Sequence, residues 1–339
     1  MWMIRVGIVG ATGYGSREIM RLLCQHPHAQ ITAVTSTSVI GQPLAQVLPA
    51  FQNLLDLTFQ EFDAEKLAAQ CDVVFVGVPG KESMTPVAAL RQADVRVLDI
   101  GPDFRLTDLD AFTTYYGAEQ THPELLGERV YGLPPWYRAD LPKANLVAVP
   151  GCYPISAILP LRPLLPHIST DFPVVIDAIS GVSGAGRSTS QAFHFPEMNE
   201  NVLAYKLGVH QHTPEIEQEL DNKILVQFTP HVGPFTRGIL STITVRTTDD
   251  PDLDSVFACY ADEPFVRVLG ADTIPDLNQV RGTNFCDFGW HKDDRTGNLI
   301  LVSAIDNLVG GTAGMAVQCM NLMFGLDESD GLKLGGMSV

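Results

Sequence analysis

A run of apolar and β-branched residues from Ile4 to Val9 ends in Gly10-Ala11-Thr12-Gly13 and passes into an amphipathic segment from about Ser16 to Leu23. With Gly7 this makes Gly7-x-x-Gly10-x-x-Gly13, a glycine triplet set between a strand and a helix. Glycine at these positions lets the backbone turn tightly and approach a pyrophosphate, which rests on the helix N-terminus where unpaired N–H groups and the helix dipole favour anions. A triplet alone also serves as a plain structural turn. The strand-turn-helix setting is what points to a dinucleotide.

The rest of the first half repeats the alternation. Ile31 to Thr35, Val73 to Val78 and Val95 to Ile100 read as strands, with helical segments at Ala64 to Ala69 and Met84 to Arg91 between them. Parallel strands need crossovers, so this order implies a parallel sheet with helices on both faces. Ala148-Val149-Pro150-Gly151 reads as the exit from that domain. Beyond it the strand-like runs Val174 to Ala178, Ile224 to Thr229, Leu240 to Thr247 and Leu299 to Ala304 are more widely spaced, which suits a mixed or antiparallel sheet. Thr312 to Phe324 has the spacing of one late helix. A chain of 339 residues suits two domains. The expected fold is α/β: a Rossmann-type dinucleotide-binding domain followed by an α+β domain with a mixed sheet.

A formal net charge of −17 argues against nucleic acid or an anionic membrane surface as partner, since both repel a polyanion. An anionic small molecule must then be held by a few local cations. The six cysteines lie far apart with no C-x-x-C pair, which fits neither a disulfide framework nor a zinc site. The N-terminus runs at once into a strand pattern, without the look of a signal peptide, and no stretch has the apolar length of a membrane span. These point to a reducing cytoplasm.

Cys152, in Pro150-Gly151-Cys152-Tyr153-Pro154, stands at the domain junction where a helix is expected to start. A helix N-terminus can lower a thiol's pKa and make it a nucleophile; the other reading is a small buried residue. His210 and His212, in His210-Gln211-His212-Thr213-Pro214-Glu215, could exchange protons with a thiol. Thr213 as N-cap and Pro214 at the first helical position favour His212 for that role, because a residue beside a rigid helix entry is held more firmly. The i, i+2 pair also resembles half a metal site, but nothing completes it, so no metal is expected. Arg105, Arg187 and Arg237, each beside glycine or an aromatic residue, are candidates for gripping a carboxylate or phosphate, or for structural ion pairs. At the end of the second strand stands Thr35-Ser36-Thr37-Ser38, where an NAD-preferring site would carry an acid. Ser36 and Ser38 hydroxyls without a carboxylate favour NADP.

Taken together, Gly10-Ala11-Thr12-Gly13-Tyr14, Asp103-Phe104-Arg105-Leu106, Tyr131-Gly132-Leu133-Pro134, Pro150-Gly151-Cys152-Tyr153-Pro154, Ser180 to Arg187, His212-Thr213-Pro214-Glu215, Thr236-Arg237-Gly238 and Ser303 to Leu308 resemble, in order, the N-acetyl-gamma-glutamyl-phosphate reductases of the aspartate-semialdehyde dehydrogenase-like group. That resemblance implies NADPH-dependent reduction of an acyl phosphate to an aldehyde in arginine biosynthesis, with Cys152 as nucleophile and a histidine of the His210/His212 pair as acid and base. It implies Arg105 and Arg237 near the substrate, and Arg187, in a glycine-rich loop suited to an anion, is the third substrate-binding candidate. It further implies coenzyme contacts from Gly7, Gly10, Ala11, Thr12, Gly13, Tyr14, Ser36, Ser38, Ser183, Gly184 and Asn307, and a homodimer or homotetramer. It implies a coenzyme domain of residues 1–151 and 312–339 and a catalytic and oligomerisation domain of 152–311. The chain departs from the family at Ile179, where Lys is usual, at Ile155, where Thr is usual, and at Thr37, where Arg is usual. The other readings are the same chemistry on an aminoadipyl or aspartyl phosphate, and a non-catalytic NADP-binding relative.

Overall fold

The computed structural model describes residues 3–337; residues 1, 2, 338 and 339, which the expected domain limits include, lie outside the described residues. Among the described residues two compact units are present, one of 3–150 with 312–333, the other of 151–311 with 334–337. The expectation assigned residues 334–337 to the first unit. They belong with the second because Met337 and Arg281 exchange main-chain and guanidinium hydrogen bonds, 2.9 Å for Met337 N to Arg281 O. A Cβ on Gly336 would press on the Gln279 carbonyl.

The first unit is built on strands β1 (Ile4–Val9), β2 (Ala29–Val34), β3 (Val73–Val76), β4 (Arg96–Asp99), β5 (Arg129–Tyr131) and β6 (Leu146–Ala148). They form one sheet in the order β2-β1-β3-β4-β6-β5, every pairing parallel. Helices α1 (Tyr14–Leu23), α2 (Ala64–Gln70), α3 (Met84–Gln92) and α4 (Leu109–Tyr116) make crossovers. β3 is buried at all four positions, as a strand covered on both faces must be, which is why it reads as an unbroken apolar run. Around it Val74, Val97, Phe104, Phe112 and Leu146 are almost fully enclosed, each contributing roughly 1.5–3 kcal/mol of hydrophobic stabilisation. The chain leaves β1 toward β2 on one side and β3 lies on the other, so the sheet's switch point falls at the end of β1, directly beneath the glycine turn.

The late helix, Gly314–Met323, has nine of its ten residues buried, the mark of a helix apolar all round rather than along one stripe. It packs on α1 within the first unit. Arg96 closes its C-terminus: Nη1 donates to the Met323 carbonyl at 2.6 Å, and the guanidinium lies 4.9 Å from the Phe324 ring. Among the described residues no helix is long and apolar enough to cross a membrane.

The second unit holds a seven-stranded mixed sheet of β7 (Val174–Gly181), β8 (Leu203–Ala204), β9 (Val226–Gly233), β10 (Ile239–Arg246), β11 (Val266–Ala271), β12 (Cys286–Asp293) and β13 (Asn298–Ile305). Their order is β11-β12-β13-β10-β7-β9-β8. β7 with β9 and β11 with β12 are parallel, and the other pairings are antiparallel. Buried and exposed positions alternate along β7, β9 and β10, as expected of a sheet with one face packed. That face carries α5 (Cys152–Leu161), pinned by a 2.8 Å hydrogen bond between the hydroxyls of Ser156 and Ser241.

One buried cluster in the first unit sets a pH dependence. Asp99 and Asp103 are both fully enclosed, and the single Ser83 hydroxyl lies 3.0 Å from Asp99 Oδ2 and 2.9 Å from Asp103 Oδ2. One hydroxyl has one proton to donate, so the second bond needs a proton on a carboxyl. Burial, then the charge of Asp103, pushes Asp99 up to about 7. The folded chain therefore holds a proton that the unfolded chain has released above the ordinary carboxylate range. Stability from this group is full below about pH 4 and is lost as pH rises toward 7. Asp99→Asn, which keeps the neutral shape and a donor, is expected to match the wild type in urea midpoint near pH 5. It should exceed it by roughly 1–3 kcal/mol near pH 8. A constant difference between the two across that range would contradict this protonation.

Candidate active site

The candidate residues fall into two groups, one in each unit. In the first, Gly10 has φ +76°, a conformation that favours glycine, and a Cβ there would collide with the Gly77 carbonyl oxygen at the end of β3. Gly7, by contrast, lies within β1, where a side chain would meet Cys71 Sγ at 2.9 Å. Its smallness serves packing of α2 on the sheet. Gly13 is the N-cap of α1 and a Cβ there would meet only ordinary contacts, 3.5 Å to the Gly10 and Gly77 oxygens. No side chain caps this helix. Ser16 Oγ, in its first turn, is buried without a hydrogen-bond partner among the described residues. Ala11 N donates to Thr35 O at 3.1 Å, which joins the turn to the end of β2, where Ser38 N and hydroxyl both approach Ser36 Oγ. Tyr14 opens α1, half-buried, and Thr12 sits in the turn. An open helix N-terminus, an orphaned hydroxyl and a backbone pressed flat at the switch point fit the phosphates of a dinucleotide. Gly77 was not singled out in the sequence; the run Val76-Gly77-Val78-Pro79 carries the signal.

Arg105 is also in the first unit, 6% exposed. Its Nε donates to Val149 O at 2.8 Å and its Nη2 to Ile100 O at 3.1 Å. At least two of its nitrogens thus clamp the chain leaving β4 and β6.

In the second unit Cys152 is the first residue of α5, with Gly151 as N-cap, and is partly exposed. The Gly151 N–H donates to Glu215 Oε1 at 2.8 Å, and Glu215 is fully buried. Glu215 lies on α6 (His212–Glu219). This helix starts at His212 with Gln211 as N-cap, so Thr213 is not the cap and Pro214 is not the first helical position. Both Thr213 and Pro214 are buried, and packing draws the helix start back to His212. Among the described residues no cluster of three or more His, Cys, Asp or Glu could hold a metal ion.

The two histidines differ sharply. His210 is 3% exposed, and its Nδ1 accepts the backbone N–H of His212 at 3.1 Å. Its ring is boxed by Tyr153 at 5.8 Å, Tyr205 at 5.5 Å, Phe228 at 5.1 Å and His212 at 4.7 Å. Burial, with the Lys206 charge adding to it, pushes His210 down to about 3, so it is a neutral imidazole whose Nε2 carries the hydrogen. His212 is half-buried, its ring 5.9 Å from that of Tyr153, the residue next to Cys152. Tyr153 donates its hydroxyl to the His231 carbonyl, and Tyr205 donates to Tyr153 at 3.5 Å. Burial holds the Tyr153 phenol well above its ordinary range and pushes Tyr205 up to about 12. Tyr205, directly after the two-residue edge strand β8, gave no signal in the sequence.

The remaining candidates gather at the end of β7, β10 and β13. Asn307 Nδ2 donates to Ser183 Oγ at 2.9 Å, and Gly238 N donates to Asn307 Oδ1 at 2.8 Å. A Cβ on Gly184 would meet Ser180 Oγ at 2.9 Å. Arg237 Nη1 lies 3.5 Å from Asp306 Oδ2, a carboxylate that also accepts from Gly282 N, Leu308 N and Val309 N. Arg187 is exposed in the same glycine-rich loop.

The profile of the semialdehyde dehydrogenase NAD binding domain matches residues 5–144, and that of the semialdehyde dehydrogenase dimerisation domain matches residues 152–307. The chain is 46% identical to the N-acetyl-gamma-glutamyl-phosphate reductase of Desulforudis audaxviator, with 99% of each chain covered. It is also 46% identical to that of Symbiobacterium thermophilum, with 98% of each covered. Among solved structures, aspartate semialdehyde dehydrogenase II of Vibrio cholerae, complexed with ASA, superposes with a TM-score of 0.73 at 17% identity, covering 96% of this chain and 99% of that one. The NADP complex of the Candida albicans aspartate semialdehyde dehydrogenase gives 0.68 at 16%, covering 95% and 98%. By identity across nearly its whole length, and by two domain families matched in order, the chain belongs to the N-acetyl-gamma-glutamyl-phosphate reductases within the semialdehyde dehydrogenase family.

Proposed function

We propose that the chain reduces N-acetyl-gamma-glutamyl phosphate to the semialdehyde in arginine biosynthesis, with NADPH as reductant and a thioester on Cys152. The observation that carries this reading is the position of Cys152 as first residue of α5, partly exposed, with a half-buried histidine on the neighbouring helix start. His212 takes the proton from Sγ, and the thiolate attacks the acyl carbon. The carbon–oxygen bond to phosphate breaks, and the proton on His212 leaves with the phosphate. NADPH, when held at the glycine turn of Gly10 to Gly13, would supply hydride to the thioester carbon. The resulting alkoxide expels the sulfur as thiolate, the aldehyde departs, and a proton from solvent restores the thiol. His210, neutral, serves as a positioning residue: its Nδ1 holds the His212 backbone. Arg237 and Arg187 supply local positive charge for the anionic substrate in a chain of −17. Arg105 holds the backbone leading to Pro150. Its environment in the cytoplasm and assembly through the dimerisation domain complete the reading.

The hydroxyl-bearing turn at Ser36 and Ser38 supports NADPH over NADH, and the reductase names of the close relatives support the substrate. Steady-state assays in the reverse direction, with phosphate and a panel of semialdehydes, should show highest kcat/KM with the N-acetylglutamate derivative and NADP. A higher value for an aspartyl or aminoadipyl semialdehyde would overturn the substrate.

Cys152→Ala should abolish turnover while leaving coenzyme affinity unchanged, and Cys152→Ser should be nearly as inactive because a hydroxyl ionises far less than a thiol. Appreciable turnover by the Ala variant would exclude the thioester. For the histidines, His212→Asn is expected to lower kcat by roughly two to four orders of magnitude with little change in KM. His210→Asn should lower kcat less and reduce Tm, since it removes a ring packed on all sides. Equal kcat in the wild type and His212→Asn would reverse the assignment.

A further inference from the structure

We propose that Arg17 is the residue that selects the phosphorylated coenzyme, binding its 2′-phosphate from α1 where the loop after β2 has no cation to offer. This rests on the NADPH reading above and adds a residue to it. Between Arg21 and Lys66 the chain has no Lys or Arg, so the Ser36-Thr37-Ser38 turn must do without a positive charge of its own. Two hydroxyls can donate hydrogen bonds to a phosphate dianion, but they do not balance its charge, and the acidic field of the whole chain opposes it.

Arg17 lies in the second turn of α1 and folds back along the helix. Its Nε donates to the Thr12 carbonyl, in the glycine turn, at 3.0 Å. Thr12 follows Ala11, whose N–H bonds to the carbonyl of Thr35, the residue just before Ser36. One chain of contacts therefore leads from the guanidinium through Thr12, Ala11 and Thr35 to the serine turn. The guanidinium also lies 5.7 Å from the Tyr14 ring, which limits its orientation. The Nε bond to Thr12 holds the planar guanidinium at the glycine turn. A fixed guanidinium meets phosphate in a bidentate manner that an ammonium does not reproduce. In this arrangement the cation comes from the helix and the hydroxyls come from the loop.

The test uses the full-length chain, calorimetric titration and two probes that differ in the group concerned, adenosine 2′,5′-bisphosphate and 5′-AMP. The wild type should bind the bisphosphate more tightly. Arg17→Ala should weaken the bisphosphate roughly 10- to 100-fold, as loss of charge-assisted hydrogen bonds does, and change 5′-AMP by no more than about twofold. Arg17→Lys should fall between, since it keeps the charge without the fork. An unchanged Tm accompanies these results. Equal loss of both probes would make Arg17 a prop for the glycine turn and overturn the proposal, as would no loss of either. A wild type that binds both probes equally would overturn the NADPH reading itself, and the role of Arg17 with it.

Discussion

The hydrogen bond from the Gly151 N–H to the buried Glu215 carboxylate ties together the two helix starts on which the chemistry depends. Cys152 opens α5 and His212 opens α6, and Glu215 stands one turn into α6. A helix whose third residue is Glu or Gln can satisfy its N-cap N–H locally, through a capping box. Here the third residue of α5 is Pro154, which has neither the side chain for that bond nor an N–H of its own. The acceptor has to come from elsewhere in the fold, and α6 provides it. A buried carboxylate is costly unless it is hydrogen-bonded, so losing this contact would loosen the nucleophile and the histidine together. Gly311 adds a steric limit on the other side: a Cβ there would lie 2.8 Å from Cys152 Cβ.

In the coenzyme domain the comparable constraint is the approach of Gly10 to the Gly77 carbonyl. It needs a positive φ and a missing side chain at once, and both are consistent with the glycine turn read from the sequence. The first four strands were legible because strands covered on both faces are rich in apolar residues: Val73–Val76 is apolar throughout, and Ile4–Val9 is broken only by the exposed Arg5. β5 and β6 were not, because three residues are too few for any period. β12 was missed for another reason: Cys286–Asp293 ends in Trp290-His291-Lys292-Asp293, and its pairing with both neighbours, not its own pattern, makes it a strand. Helix starts fared worst where packing overrides local rules. Thr213 and Pro214 look like a cap and a first turn, yet both are buried and the helix begins at His212.

At the site, residue identities were legible and residue states were not. Both histidines stand in one short motif, and nothing in that motif says that one is enclosed by two tyrosines and a phenylalanine. The enclosure of His210 depends on Tyr153, Tyr205 and Phe228, drawn from a helix start, an edge segment and a central strand. Burial then decides the division of labour, because a neutral imidazole locked through Nδ1 can hold a backbone but cannot readily carry a second proton. Arg105 makes the same point. Its flanking residues suggest an anion site, and its bonds to the Ile100 and Val149 carbonyls give it a structural duty that only the strand order creates.

The departures from the family can be weighed by where they fall. Ser241 meets α5 through Ser156, and Ala178 is its direct partner across β7 and β10, so both face the Cys152 helix. Ile179, the next residue, pairs with Leu240 and points to the opposite face, because successive strand residues alternate. There its Cδ1 lies 2.8 Å from where a Gly233 Cβ would stand, packed on the adjacent strand β9. The exchange of a usual Lys for Ile179 thus alters the sheet face turned away from the nucleophile's helix. Ile155 is different, since it sits within α5 itself and is 1% exposed, but an isoleucine there fills the interior of a helix already apolar on all sides. The thiol, the helix start that presents it and the carboxylate that holds that start are all retained, and these are the parts that acyl transfer to sulfur requires.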